Sequence, residues 1–299
     1  MALETQIDKI NCDDNSVVYT GLEGCTLDVD LVRVLEFTEK GKVQTWEDNL
    51  DNVLDAQVSG EVTIISEIDT FTQVETANTY ETSEGTNKDT LLQKLPYKFE
   101  ATFKNNGIKF RQQLLKLDGK RLDVKFHDAA GNKFFAQNKQ GGVKGFGTFL
   151  IAIEPYNIKG TTSAMYKMVI QLAGHKEFDD MHYIHNSQLD YNAEQDLRGV
   201  NEVILTASPL AATETTLTVK ATLNDMDTFV AGLLTANFIV KQDGVVVAHT
   251  DAVANAVTKT YALTIPAATA GTYTVELNGV VKTLLNILYG GLEDSVVVS

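Results

Sequence analysis

The sequence predicts a mainly β protein: a β-sandwich or barrel body with one or two short helices, followed by a second, C-terminal β-sandwich. Three observations carry that reading. Short runs of alternating apolar and polar residues recur along the chain, and a period of two places successive side chains on opposite faces of a strand. Turn chemistry separates the runs, as in Asp128-Ala-Ala-Gly-Asn132 and Gln242-Asp243-Gly244, where Asp-Gly supplies the positive φ angles of a tight hairpin. The composition also changes near residue 200. Residues 1–200 hold 21 Lys/Arg and 31 Asp/Glu, against 4 and 9 in residues 201–299, where Thr, Ala and Val rise. Two domains are expected, 1–200 and 201–299, with 185–199 between them as a polar linker or extended arm of neither period.

In the N-terminal part, strands are expected at 60–65, 97–103, 122–126, 133–136, 147–153 and 164–172, all rich in β-branched or aromatic residues. Two segments follow the helical period instead. Trp46, Leu50, Val53 and Leu54 fall at i, i+4, i+7 and i+8, and Phe110, Leu114 and Leu117 at i, i+4 and i+7, before Asp118-Gly119 stops the turn. Residues 70–90 are rich in Thr, Glu and Asn, with almost no large apolar residue after Phe71 and Val74. They read as a long mobile loop or arm between two strands. In the C-terminal part, strands are expected at 215–223, 238–241, 245–248, 261–265 and 272–277, spaced as in a β-sandwich.

Composition excludes several classes of function. At 43% hydrophobic and 22% charged, with four prolines, the 299 residues can bury a core and are not a disordered polymer. A formal charge of −15 repels phosphate backbones, so no specific nucleic-acid binding is expected. No basic and then apolar segment follows Met1, which predicts no secretory signal. Stretches such as 245–257 fall far below the ~20 apolar residues of a membrane span, which predicts no membrane partner. Cys12 and Cys25 are expected to be buried thiols, since a cytosolic chain is kept reduced, although a bridge between them is geometrically open.

Ala270-Gly-Thr-Tyr-Thr-Val-Glu-Leu277 resembles the penultimate strand of bacterial and phage immunoglobulin-like modules, where a Gly-x-Tyr-x-Val run enters the core. The resemblance covers residues 205–282 and implies an immunoglobulin-like (Ig-like) β-sandwich. It makes Tyr273, Val275 and Leu277 core residues, with Tyr273 a corner tyrosine whose hydroxyl bonds nearby backbone. The cysteine pair and core Trp of antibody-type domains are missing, which points to the microbial branch of the architecture.

Two constellations invite chemistry. His175, Glu177, Asp179, Asp180, His182 and His185 crowd into eleven residues and offer metal ligands. Yet the His-x-x-His spacing projects to opposite faces of a strand, and His-Glu-x-x-His is absent. A polar strand end or subunit contact is expected instead, with no metal. Gly141-Gly-Val-Lys-Gly-Phe-Gly147 suggests a phosphate cradle, but its spacing is not that of a P-loop and Gly147 opens a strand. No Gly-x-Ser-x-Gly elbow is present, and acidic neighbours disfavour thiolate at either cysteine. No catalytic residue and no cofactor are expected.

The overall plan resembles virion structural proteins of tailed bacteriophages, among them tail-tube subunits in which a β-sandwich tube domain precedes an outward-facing Ig-like domain. That resemblance implies a non-enzymatic protein assembled in many copies, foremost a tail-tube-type or head–tail ring component. Its partners would be copies of itself in a ring or lattice and other virion proteins, with weak host-surface contact through the Ig-like domain. Its place would be the virion, assembled in the host cytoplasm. An acidic lumen would keep DNA from sticking to the tube wall. Two alternatives stay open, a capsid decoration or auxiliary protein and a cell-surface or glycan-binding adhesion module. Assembly contacts are expected at Thr76, Asn78, Tyr80 and Glu84 in the arm. Others are expected at Leu284, Leu285, Ile287, Leu288 and Tyr289, in a segment too apolar for a free tail. This segment is read as the final sandwich strand plus a piece packed on a neighbour or on the N-terminal domain.

Overall fold

The computed structural model describes residues 8–9, 29, 31–74, 79–83, 88–104, 107–154, 157–159, 162–223, 228–283, 286–292 and 294–298. Cys12 and Cys25 lie outside them. The chain divides into two compact units, Met1–Val53 with Gly60–Arg198, and Leu54–Ser59 with Gly199–Ser299. Among the described residues no helix is long and apolar enough to cross a membrane.

The strands of the first unit are β1 (Asp8–Lys9), β2 (Val32–Glu39), β3 (Val62–Ile65), β4 (Thr70–Val74), β5 (Thr79–Ser83), β6 (Lys88–Gln93) and β7 (Lys98–Lys104). They continue with β8 (Leu122–Asp128), β9 (Lys133–Gln137), β10 (Val143–Lys144), β11 (Phe146–Ile153), β12 (Asn157–Lys159), β13 (Thr162–Leu172) and β14 (His182–Ile184). Twelve of them share one sheet, ordered β1-β14-β9-β8-β11-β13-β7-β4, with β2 and β3, β10 and β12 branching from it. The junction is β8. One edge pairs with β2 from Val32↔Asp128 to Glu39↔Leu122. The other is shared by β9 at Phe126↔Phe134 and β11 at Phe146↔Val124. The sheet therefore forks and curls around its apolar face.

That face is aromatic. Phe99, Phe126, Phe146 and Phe178 touch in a closed ring, with centroids 5.3–5.4 Å apart. Such contacts add about 0.5–1.5 kcal/mol each beyond the area they bury. Helix α1 (Leu50–Val58) starts later than the periodicity predicts, because Asn49 caps it by accepting the Asn52 N–H at 2.9 Å. Trp46 thus lies before the helix rather than on its apolar stripe. Helix α2 (Gly107–Leu114) runs into a 3₁₀ turn at Leu115–Leu117 and buries Leu114 and Leu117.

Residues 70–90, expected as a loop, are strand over much of their length. β4 pairs with β7 from Thr70↔Thr102 to Val74↔Lys98, and β5 with β6 from Thr79↔Gln93 to Ser83↔Lys88. The β5–β6 pair thus lies in sequence between the two paired strands β4 and β7. Thr favours extended backbone even without a covered face, and hydrophobic periodicity is silent about such a ribbon. The expected linker 185–199 is, up to Arg198, also built into the first unit. It makes a 3₁₀ turn at Asn186–Gln188 and a short helix α4 (Ala193–Asp196), whose first amides bond to the Asn192 side chain. Tyr191, Ala193 and Leu197 are buried, three anchors at irregular spacing that no period reveals.

The second unit holds β15 (Asn201–Ala207), β16 (Thr216–Leu223), β17 (Phe238–Gln242), β18 (Val245–Val247), β19 (Thr250–Asn255), β20 (Thr260–Thr264), β21 (Gly271–Leu277), β22 (Val280–Lys282), β23 (Leu288–Leu292) and β24 (Asp294–Val298). They form two sheets, β19-β20-β16-β15-β23-β22 and β18-β17-β21-β24. Without β22 and β23 these are the ABED and C′CFG sheets of an Ig-like sandwich. Positive φ at Asp243 (50°) and Gly244 (83°) closes the β17–β18 hairpin. Tyr273, Val275 and Leu277 are buried, and the Tyr273 hydroxyl accepts the Thr269 N–H at 3.2 Å.

The apolar tail belongs to this sandwich. β23 lies parallel to β15, and β24 pairs with β21 in the opposite sheet. Tyr289 is thus part of the module's own core and Leu288 is buried, as β23 lies antiparallel beside β22. Ile287 is exposed, and Leu284 and Leu285 lie outside the described residues.

Replacing Tyr273 by Phe leaves the Thr269 N–H without its acceptor and should destabilise the second unit by about 1 kcal/mol. Urea unfolding by circular dichroism should show that unit's transition at lower denaturant, with the first unit's transition unmoved.

Candidate functional site: a buried charge cluster and an open cleft

Alternation along β8 builds two environments. Val124 and Phe126 enter the aromatic core, while Asp123, Lys125 and His127 share the opposite face. Glu36 stands directly across from Lys125 on β2, and Lys133 on β9 across from His127. This polar face is not wet. The chain after β2 crosses it, bringing Gln44, Trp46 and Asp48, and Tyr191 closes it from the 185–199 segment. The side chains of Glu36, Asp48, Lys125, His127 and Lys133 are at most 1% exposed.

Dry charge demands full pairing. Lys125 Nζ lies 2.7 Å from Glu36 Oε1 and 2.6 Å from Gln44 Oε1. Lys133 Nζ lies 2.7 Å from Glu36 Oε2 and 2.6 Å from Asp48 Oδ2. Gln44 Nε2 donates to Asp48 Oδ2 at 3.1 Å, and the Tyr191 hydroxyl to Asp48 Oδ1 at 2.7 Å. Trp46 lays its ring 5.7 Å from both ammonium nitrogens, a cation–π contact with each. Two carboxylates thus balance two ammoniums. His127 Nε2 sits 3.2 Å from Glu36 Oε2, and its Nδ1 has no hydrogen-bond partner among the described residues. That geometry fits a neutral ring with its proton on Nε2.

Burial pushes the Glu36 carboxyl up, but Lys125, Lys133 and His127 together overcome it and hold it well below the usual carboxylate range. Asp48 is lowered in the same way, burial being outweighed chiefly by Lys133. Burial lowers Lys125 despite Glu36 and depresses His127 into its neutral form. Lys133, between two carboxylates, is instead raised against its burial.

Beyond Asp123 lies an open cleft of about 410 Å³, lined among others by Lys40, Asp123, Lys144, Gly147, His175 and Glu177. Here the structure joins the two sequence constellations. Glu177 sits on a short helix α3 (Lys176–Asp179), which Phe178 anchors in the aromatic ring. Its carboxylate pairs with Lys144 and accepts the Gly147 N–H at 2.8 Å. Asp123 Oδ2 accepts the Gly41 N–H at 2.8 Å, whereas Oδ1 has no partner among the described residues, and burial raises its carboxyl. The glycines serve close approach. A Cβ on Gly145 would lie 2.6 Å from the Val124 nitrogen. Gly147 lies within strand β11, with no helix start to cradle a phosphate.

The histidines diverge. His175 lines the cleft, His182 is buried on β14 beside the Phe135 ring, and His185 bonds Ser187. Among the described residues, no three His, Cys, Asp or Glu side chains converge to hold a metal ion. Of the expected arm contacts, Tyr80 lies on β5, while Thr76, Asn78 and Glu84 fall outside the described residues. The charge cluster itself was missed. Lys125 and His127 alternating with Val124 and Phe126 was its one visible signal, and it reads equally as a solvated face. The chain matches no protein-family model and no curated protein.

Lys125→Met strands half of the Glu36 charge and should cost about 3–5 kcal/mol. Paired with Glu36→Leu, it should cost less than the sum of the two single changes. Fluorescence of Trp46, the chain's one Trp, reports unfolding of this unit selectively. Acid should act in the same direction. The unfolded chain protonates His127 below pH ~6.5 and Glu36 below ~4.3, both before the folded protein does. Stability by the same fluorescence should therefore decline from about pH 6.5 downward and fall more steeply below about pH 4.5; a flat profile between pH ~8 and ~4 contradicts the assignment.

Proposed function

We propose that the chain is a non-enzymatic structural protein that assembles in many copies, of the tail-tube or head–tail ring type found in tailed bacteriophage virions. The observation that carries this reading is the two-stranded ribbon that follows β4 in the chain. Its strands, β5 and β6, pair only with each other among the described residues. A lone two-stranded ribbon is marginal in water, and its open edges are suited to pairing with a neighbouring copy. The Ig-like unit, with an independent core, suits outward display. The charge of −15 favours a wall that does not hold DNA. The carboxylates and ammoniums of the Glu36 cluster are engaged with one another, which supports a scaffold role. Trp46 is occupied over two lysines, which weakens the glycan-binding alternative.

The test compares the full chain with a variant in which residues 75–93 are replaced by a tight turn. The full chain should form rings or axially repeating tubes in negative stain as concentration rises. The variant should remain small by light scattering with unchanged Trp46-reported stability. A full chain that stays a monomer or trimer at every concentration overturns the tube reading in favour of a decoration or adhesion protein.

A further inference from the structure

We propose that Lys133 and Asp48 condense into an intramolecular amide, Nζ to Cγ, with Glu36 as the proton-transfer group. The amine and carboxyl are already in contact, with Lys133 Nζ 2.6 Å from Asp48 Oδ2 and both side chains fully buried. Glu36 Oε2 lies 2.7 Å from the same nitrogen. The Tyr191 hydroxyl and the Gln44 amide, at 2.7 and 3.1 Å, donate to the two oxygens of the Asp48 carboxyl. They fix it against the nucleophile and are placed to stabilise oxygen charge in a tetrahedral intermediate. Holding the two reactants in contact spares the reaction a bimolecular encounter.

The step balances without any co-reactant. One ammonium proton of Lys133 passes to Glu36, which frees the nitrogen lone pair. The nitrogen attacks Asp48 Cγ, forming the C–N bond and a tetrahedral centre. A second proton leaves the nitrogen, and both protons reach the departing Asp48 oxygen, one of them returned by Glu36. The C–O bond breaks and water leaves. Nothing is oxidised or reduced, and Glu36 ends as the carboxylate it began as.

The product removes one buried positive and one buried negative charge. Burial opposes the charged form of both groups, and although their pairing outweighs it, a neutral amide removes that cost. The remaining Glu36–Lys125 pair stays balanced, with its 2.7 Å contact. Exclusion of solvent also protects the bond from hydrolysis. Because ion pairing keeps the resting Lys133 charged, closure is slow compared with folding, and its extent grows with time. Lys125 touches Glu36 but has no second carboxylate beside its nitrogen in these contacts to relay a proton.

Intact-mass spectrometry of the denatured full chain, kept for several days at neutral pH, tests this directly. The expected result is loss of one water, about 18 Da, from the uncrosslinked mass. Proteolysis should then give a branched peptide joining the Asp48 and Lys133 segments. Glu36→Gln should retain the full mass, and Lys133→Arg should also remain uncrosslinked. A wild-type mass that shows no loss of water overturns the proposal, whether or not the variants fold. So does an equal loss mapped to a cyclised Asp118-Gly119 or Asp243-Gly244, or to a Lys125–Glu36 join.

Discussion

A glutamate and a lysine facing each other across a dry strand pair set the terms for the first unit. Glu36 and Lys125 stand opposite in the β2–β8 ladder where water does not reach. Neither is tolerable there alone, since an unpaired buried charge costs several kcal/mol. Every further oxygen and proton of the pair needs a partner, and those partners come from distant parts of the chain. Gln44 and Asp48 arrive from the crossing after β2, Lys133 from β9, and Tyr191 from the segment before Arg198. Segments without regular structure thereby acquire fixed positions.

The same strand is apolar on its other face, so the β8 backbone separates an aromatic core from an ionic one. The two faces are coupled at their ends. Phe178 docks in the aromatic ring and so aims Glu177 into the cleft, where Lys144 and the Gly147 amide receive it. Asp123 continues the polar face of β8 to that cleft. One strand thus runs from a sealed, charge-balanced interior to an open edge within four residues.

Much of the architecture was legible because turns and alternation agreed. Asp128-Ala-Ala-Gly-Asn132 does join β8 to β9, with Gly131 at φ 89°. The runs at 147–153 and 164–172 are the adjacent β11 and β13. β2 escaped because a bulge between Val32 and Val34 breaks its period, and a charged residue stands among Val34, Leu35 and Phe37. Trp46 was assigned to a helix because its spacing fits one, while the Asn49 cap decides where the helix begins. For the charge cluster the limit is more basic. A period of two says that the faces of a strand differ, but not which of them is dry. That depends on the later crossing of Gln44–Asp48 and the return of Tyr191, which leave no periodic trace.

The parallel pairing of β23 with β15 bears on how the second unit is made. Asn201–Ile204 lie beside Tyr289–Leu292, and β24 completes the opposite sheet against β21. As the ribosome delivers the chain, β15 is present long before β23, the strand that covers its edge. Contacts so distant in sequence form slowly, and exposed strand edges are where nascent chains associate prematurely. The interval between synthesis of β15 and arrival of β23 is therefore the vulnerable moment of this module.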